Sequence, residues 1–301
     1  MRSVFVLATV LAVLVAVPGG PEPSAVDPGS IVRWSAPGTD RCGMGKRSWA
    51  ALDGTCYYPI DVLQKPGAVL VTRHGERSRE SARITVGPSP YGTEEIELGD
   101  IPQANPSPED RRRNAEEQTK LARVFRRPEG EARFELPLSP PAHPLPPGKT
   151  FGWTRYFDGV LAPQPHMGAD YALTEGTPVQ AVADGRVVVA EELFYPGNAV
   201  ILAHGGGLFT MYFHLSEILV EPDQDVKRGD RLGTVGTTGR ATGPHLFFGA
   251  RWHGARVDPK YLFEDPAKIP SVERLARAGG GSAGGERRSS APTARGSSPR
   301  S

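Results

Sequence analysis

The pattern of apolar and polar positions changes character along the chain. From Val4 to Val17 it is apolar with only Thr9 interrupting, and it ends at Pro18-Gly19-Gly20. A run of roughly 14 residues is short of the ~20 that span a bilayer, and fits the core of a secretory signal with Arg2 before it. Residues 1–25 therefore read as a signal peptide or, because no clean cleavage site follows, as an uncleaved N-terminal anchor. Either way the rest of the chain is expected to be exported, periplasmic or extracellular, meeting a membrane only through that segment. No cysteine near the end of the run marks a lipid anchor.

Residues 26–139 change to short alternating stretches. Val69–Thr72, Ala82–Val86, Glu94–Leu98 and Ala132–Leu136 read as strands, separated by Gly and Pro, and together they predict a small half-exposed β-rich domain. One helix interrupts it. Ser107 suits the N-cap, Pro108 the first turn, and Glu109 and Asp110 the positive helix end, so a helix should run to about Arg126. Its apolar face is thin, which predicts light packing on a neighbour or a bridging role. The proline cluster of residues 140–150 predicts a stiff extended linker and a domain boundary. Beyond it, in residues 151–268, strands recur around Asp184-Gly185 and Gly205-Gly206-Gly207, which are hairpin signals. This domain reads as an antiparallel β-sandwich or flattened barrel. Val272 to Ala278 is a short amphipathic piece, and residues 279–301 have too little apolar surface to fold.

Composition supports a mainly β chain, with 36 Gly, 30 Pro and 8% aromatic residues. The 35 basic and 34 acidic side chains leave a net charge of +1, so no overall field points to nucleic acid. The two cysteines, Cys42 and Cys56, are close in an exported chain and predict one structural disulfide, with a two-cysteine metal site as the alternative.

The chemistry centres on His166-Met167-Gly168-Ala169-Asp170. A turn at Gly168 would bring one imidazole nitrogen and one carboxylate oxygen together, as two ligands of a zinc ion. On later strands, Tyr212 and His214 are expected to share one face, and His245 and Phe247 another. Arg73-His74-Gly75 resembles the motif of histidine phosphatases, but no second histidine and acid accompany it, so it reads as a charged hairpin turn. His204 and His253 read as hairpin-end and turn residues.

From about Gly152 to Leu262 the motifs fall in one order: His166-x3-Asp170, Gly176-Thr177-Pro178-Val179, Ala183-Asp184-Gly185, Tyr212-Phe213-His214-Leu215, Val226-Lys227-Arg228-Gly229-Asp230, Gly236-Thr237-Thr238-Gly239 and Gly243-Pro244-His245-Leu246. This series resembles the LytM/lysostaphin-type zinc peptidases. The resemblance implies a metallopeptidase fold acting on peptidoglycan peptide cross-links, with His166 and Asp170 as zinc ligands and His214 and His245 as catalytic residues that handle the attacking water. It also implies a third ligand where this chain has Phe247, which has no lone pair to donate. Two expectations follow from that departure. One is a zinc endopeptidase of reduced or rearranged competence. The other is a degenerate, non-catalytic protein, with weak or absent zinc, that binds peptidoglycan or regulates a cell-wall amidase or other hydrolase.

Overall fold

The computed structural model describes residues 24–126 and 130–278. The expected signal segment lies outside these but for its last two residues, and the C-terminal tail lies wholly outside. Nine strands form one antiparallel sheet, whose hydrogen-bonded path runs Gly168–Tyr171, Leu246–Trp252, Leu208–Ile218, Gly197–Ala203, Gly185–Leu193, Asp225–Val226. Arg231–Val235 pairs both Pro178–Gln180 and Leu208–Ile218, and Ala255–Val257 pairs Leu246–Trp252.

The strand Gly197–Ala203 shows why this sheet is organised as it is. Its Ala-Val-Ile-Leu-Ala run is buried on both faces. Val200 and Leu202 enter the main core, while Ala199, Ile201 and Ala203 enter a second core on the opposite side, as period-two alternation requires. That second core is closed by the helix Pro108–Val124, through Leu121 and Val124. The thin apolar face expected of this helix is therefore matched to one patch of sheet. Its start follows the expected chemistry: Asp110 N–H donates to Ser107 Oγ at 3.1 Å, and Ser107 N–H donates to Asp110 Oδ2 at 3.0 Å, a reciprocal capping box.

The N-terminal region pairs Ile31–Ser35 with Thr55–Pro59 and builds a four-stranded sheet from Arg47–Ala50, Thr39–Met44, Gly67–Gly75 and Ser78–Val86. A disulfide joins Cys42 to Cys56 across the two sheets, with 5.4 Å between Cα atoms. Its core also takes in Val272 and Leu275 from the last helix, Val272–Ala278. Removing the disulfide with paired Cys→Ser changes is expected to cost about 3 kcal/mol for a loop of this length. Denaturant unfolding followed by the Trp34 and Trp49 environment checks this. An unchanged midpoint would make the link dispensable.

Two expectations about this stretch of chain need correction. Ala132–Leu136 is not a strand: Arg133 N–H donates to His204 O at 2.7 Å, Phe134 is buried, and no ladder forms before Pro137, which has no N–H to contribute. The proline segment is not a free linker at its start. Leu138 N–H donates to Leu262 O, Ser139 N–H to Val182 O, and Pro141 accepts from Gln180 N–H; Ala142 is fully buried. Proline carbonyls still accept, so this stretch lies bonded against the edge of the large sheet. The two regions are packed together. Tyr57 stacks on Trp252 at 5.4 Å, Asp61 pairs with Arg256 at 2.7 Å, and Trp49 stacks on His253 at 4.2 Å. His253 does occupy a turn, with φ 45°, but its ring is an inter-region contact rather than a free surface group.

His204 also differs from its expected place at an exposed hairpin end, because it is completely buried. Its Nδ1 donates to Asp184 O at 2.7 Å and its Nε2 lies 2.7 Å from Thr210 Oγ1. Burial lowers its pKa from 6.5 to about 4, against the raising effect of Asp184. Because the folded pKa is depressed, the unfolded chain takes up the proton first. Stability is therefore expected to be intact above about pH 6.5 and to fall by roughly 3 kcal/mol as the pH drops to about 4. An NMR titration in which the His204 ring protonates near 6.5 would count against this.

Candidate functional site

The strand Gly168–Tyr171 runs antiparallel to Leu246–Trp252 with Asp170 opposite Phe247. No turn at Gly168 is involved, contrary to expectation. Glycine is needed there for a different reason: a Cβ would lie 2.4 Å from Phe247 Cζ and 2.8 Å from Phe248 O. Positions 166, 168 and 170 fall on one side of the chain, and the missing side chain at 168 leaves the space that the Phe247 ring fills.

His166 is buried. Its Nδ1 donates to Thr150 O at 3.1 Å, which leaves Nε2 a bare lone pair. That atom faces Asp170 Oδ1 at 3.4 Å, and both are buried without a hydrogen-bond partner. Burial drives the His166 pKa down to about 3 despite the attraction of Asp170. For Asp170, burial favours the neutral acid, but His166, Arg155 and His245 outweigh it and hold the carboxyl below its usual range. The pair is thus a neutral imidazole facing a carboxylate, acceptor against acceptor, which is the arrangement a shared cation satisfies.

His214 and His245 meet nearby, with ring centroids 4.7 Å apart. The expected sharing of a face by Tyr212 and His214 fails. The register slips where Val200 faces Tyr212 and Asn198 faces Leu215, and His214 adopts φ 64°. This β-bulge turns His214 away from Tyr212, which lies in the main core, and onto the groove side with Met211 and Phe213. His214 Nδ1 donates to Thr238 O at 2.8 Å and His245 Nδ1 to Gly243 O at 2.9 Å. Burial, followed by the neighbouring His245, lowers the His214 pKa to about 4. His245 and Phe247 do share a face, as expected. Phe247 stacks on Phe213 at 4.9 Å and 6°, and its centroid is 5.2 Å from that of His166.

One residue at this centre has no sequence signature. Arg155, on the strand Thr154–Phe157, donates to Asp170 Oδ2 at 2.6 Å and to Thr150 Oγ1 at 3.0 Å. It also pairs with Glu94, which faces it across a parallel pairing of Thr93–Ile96 with Thr154–Phe157. The N-terminal region therefore reaches the site through one carboxylate. No spacing in the chain marks that contact, because it depends on a pairing between strands about 60 residues apart.

His166 Nε2 and Asp170 Oδ1 fit as two zinc ligands. The third place holds the Phe247 ring, and Arg155 already neutralises the second carboxylate oxygen. His245 Nε2 lies 3.7 Å from Asp170 Oδ1, yet among the described residues no three His, Cys, Asp or Glu side chains form a metal-holding group. The residues do not complete a zinc site. Arg73 and His74 lie elsewhere, on the N-terminal strand Gly67–Gly75, where Arg73 pairs with Glu80 and His74 Nε2 is 3.2 Å from Thr72 Oγ1. They belong to a hairpin.

A long antiparallel sheet carrying a histidine and an aspartate four residues apart, beside two further histidines, defines a LytM-type fold. Residues 164–259 match the model of peptidase family M23. It is 50% identical over 84 residues to the peptidoglycan DD-endopeptidase ShyA of Vibrio cholerae, covering 28% of this chain and 20% of ShyA. It is 45% identical over 111 residues to the DD-carboxypeptidase/endopeptidase Mpg of Neisseria meningitidis, covering 37% of this chain and 26% of Mpg. The chain thus spans about a fifth to a quarter of these relatives' length. A solved structure from Pseudomonas aeruginosa assigned to peptidase M23 aligns with TM-score 0.61 and 28% identity, over 81% of this chain and 96% of that one. This likeness extends well beyond the family match, into the N-terminal region.

Proposed function

We propose that this protein is exported and that its M23 domain engages peptidoglycan peptides chiefly by binding them, with little or no hydrolysis. The observation that carries this reading is the Phe247 ring, stacked on Phe213 and filling the space beside His166 where a third ligand is needed. The Arg155–Asp170 pair supports it, since a guanidinium already supplies the positive charge that the buried carboxylate requires. With their Nδ1 protons committed to Thr238 and Gly243, His214 and His245 each keep Nε2 as an acceptor, suited to the N–H groups of a bound peptide. Export rests on the Val4–Val17 run.

A second reading has one specific support. His166 Nε2, Asp170 Oδ1 and His245 Nε2 approach one another at 3.4 and 3.7 Å, so His245 is the residue able to replace the missing ligand. It would then no longer be free to act on water. The two readings separate in one experiment on the wild-type protein. After dialysis, zinc per chain is measured by atomic emission, and peptide release from purified peptidoglycan is followed by chromatography. The binding reading expects well under one zinc and co-sedimentation with peptidoglycan without cleavage. A full equivalent of tightly held zinc, with cleavage abolished by Asp170→Ala, would overturn it in favour of the enzyme.

A further inference from the structure

A groove of about 640 Å³ runs from the His166 side of the site to the helix Pro108–Val124. Four arginines line it, Arg155, Arg240, Arg251 and Arg256, and no aspartate or glutamate does. Two of these cations are neutralised from behind: Arg155 by Asp170 and Glu94, and Arg256 by Asp61. Neither of the other two forms an ion pair among the described residues; Asp61, already paired with Arg256, acts on Arg251 only from beyond contact distance. Arg240 lies over the rings of Phe157 and Tyr195, with its guanidinium carbon 3.8 and 4.4 Å from their centroids. Arg251 lies over Phe125 at 4.3 Å, and its buried Nε has no hydrogen-bond acceptor.

Aromatic faces hold a guanidinium by its flat surface and leave its edge N–H groups unsatisfied. A buried cationic donor without an acceptor is costly, and such groups in a folded protein call for an explanation. Burial, followed by repulsion from Arg155 and against the Tyr195 contribution, lowers the Arg240 pKa to about 10, so it remains charged at neutral pH. The groove therefore presents two fixed, desolvated cations beside the Phe213 and Phe247 floor, and nothing in its lining balances them.

We propose that Arg240 and Arg251 form a carboxylate-recognition site, so that the groove takes peptides bearing free carboxylates rather than neutral or amidated ones. Planar guanidinium edges match carboxylate oxygens in bidentate geometry. The peptide backbone would lie along the aromatic floor toward His214 and His245, with its carboxylates on the two arginines. The inference deepens the peptidoglycan-binding reading and rests on it for the identity of the peptide, but the charge selection stands on the groove alone.

The test compares binding of the synthetic tetrapeptide L-Ala-γ-D-Glu-L-Lys-D-Ala as the free acid, its fully amidated form, and tri-L-glutamate, by calorimetry on the whole protein. The free acid is expected to bind at least about tenfold more tightly than the amide. The Arg240→Gln/Arg251→Gln double variant is expected to abolish that difference, and Arg→Lys at both positions to retain part of it. Equal binding of acid and amide by the wild type would overturn the carboxylate site and leave the peptidoglycan reading standing. That comparison needs no variant, so a double variant that fails to fold does not protect the proposal. Arginine-dependent binding of tri-L-glutamate without binding of either tetrapeptide would support the carboxylate site and sink the peptidoglycan reading. Binding of none of the three would remove both.

Discussion

Phe247→His is expected to raise zinc affinity on the order of a hundredfold over wild type, and to bring or increase cleavage of peptidoglycan peptides. One added imidazole completes the two-histidine, one-carboxylate set on His166 and Asp170 and leaves the fourth position of zinc open. The geometry admits the change. Asp170 faces position 247 directly across the strand pair, and Gly168 leaves no Cβ between them. Histidine is smaller than phenylalanine, so the substitution relieves rather than crowds the site, at a cost of about 1 kcal/mol from lost stacking on Phe213. Zinc titration against a chromophoric chelator measures the affinity. A variant that folds but binds zinc no better than wild type would show that Phe247 is not what empties the site, and attention would pass to Arg155.

The second large effect concerns stability. Asp170→Ala is expected to destabilise the protein by about 3–5 kcal/mol, because it strands the Arg155 guanidinium in a site where the two partners are only 15% and 21% exposed. Arg155 keeps Glu94, which sets the lower end of that range. If Arg155 rather than a metal is the counterion, chelator leaves the wild-type unfolding midpoint unmoved. A drop on adding chelator, with Asp170→Ala costing under 1 kcal/mol in metal-free buffer, would mean that zinc holds this site together. Thermal unfolding with and without chelator decides between them.

The peptidase domain was legible because its motifs are local. The Gly205-Gly206-Gly207 hairpin and the capping signal at Ser107 each act within a few residues, where spacing and side-chain chemistry suffice to predict structure. The phosphatase-like Arg73-His74-Gly75 could be set aside on the same basis, since its partners were missing from the chain itself. The expected antiparallel strands are present, but Asp184-Gly185 does not close a hairpin: Pro178–Gln180 pairs with Arg231–Val235, and Gly185–Leu193 pairs with Gly197–Ala203 and Asp225–Val226.

What the chain alone did not reveal depends on non-local contacts. The side to which His214 points is set by a β-bulge that appears only as a register slip against a neighbouring strand. The burial of His204 follows from the packing of Thr210 and Asp184 around it. Arg155 enters the site because the parallel pairing of Thr93–Ile96 with Thr154–Phe157 brings Glu94 behind it. Residues 138–142 lie flat on the sheet because backbone carbonyls, including that of Pro141, find donors there. The sequence by itself thus carried the likeness of residues 164–259 to family M23, the spacing of His166 and Asp170, and a phenylalanine at position 247. Only the tertiary structure decided which cation faces Asp170 and which arginines in the groove are left without a carboxylate, because charge compensation is settled by distances between residues remote in the chain.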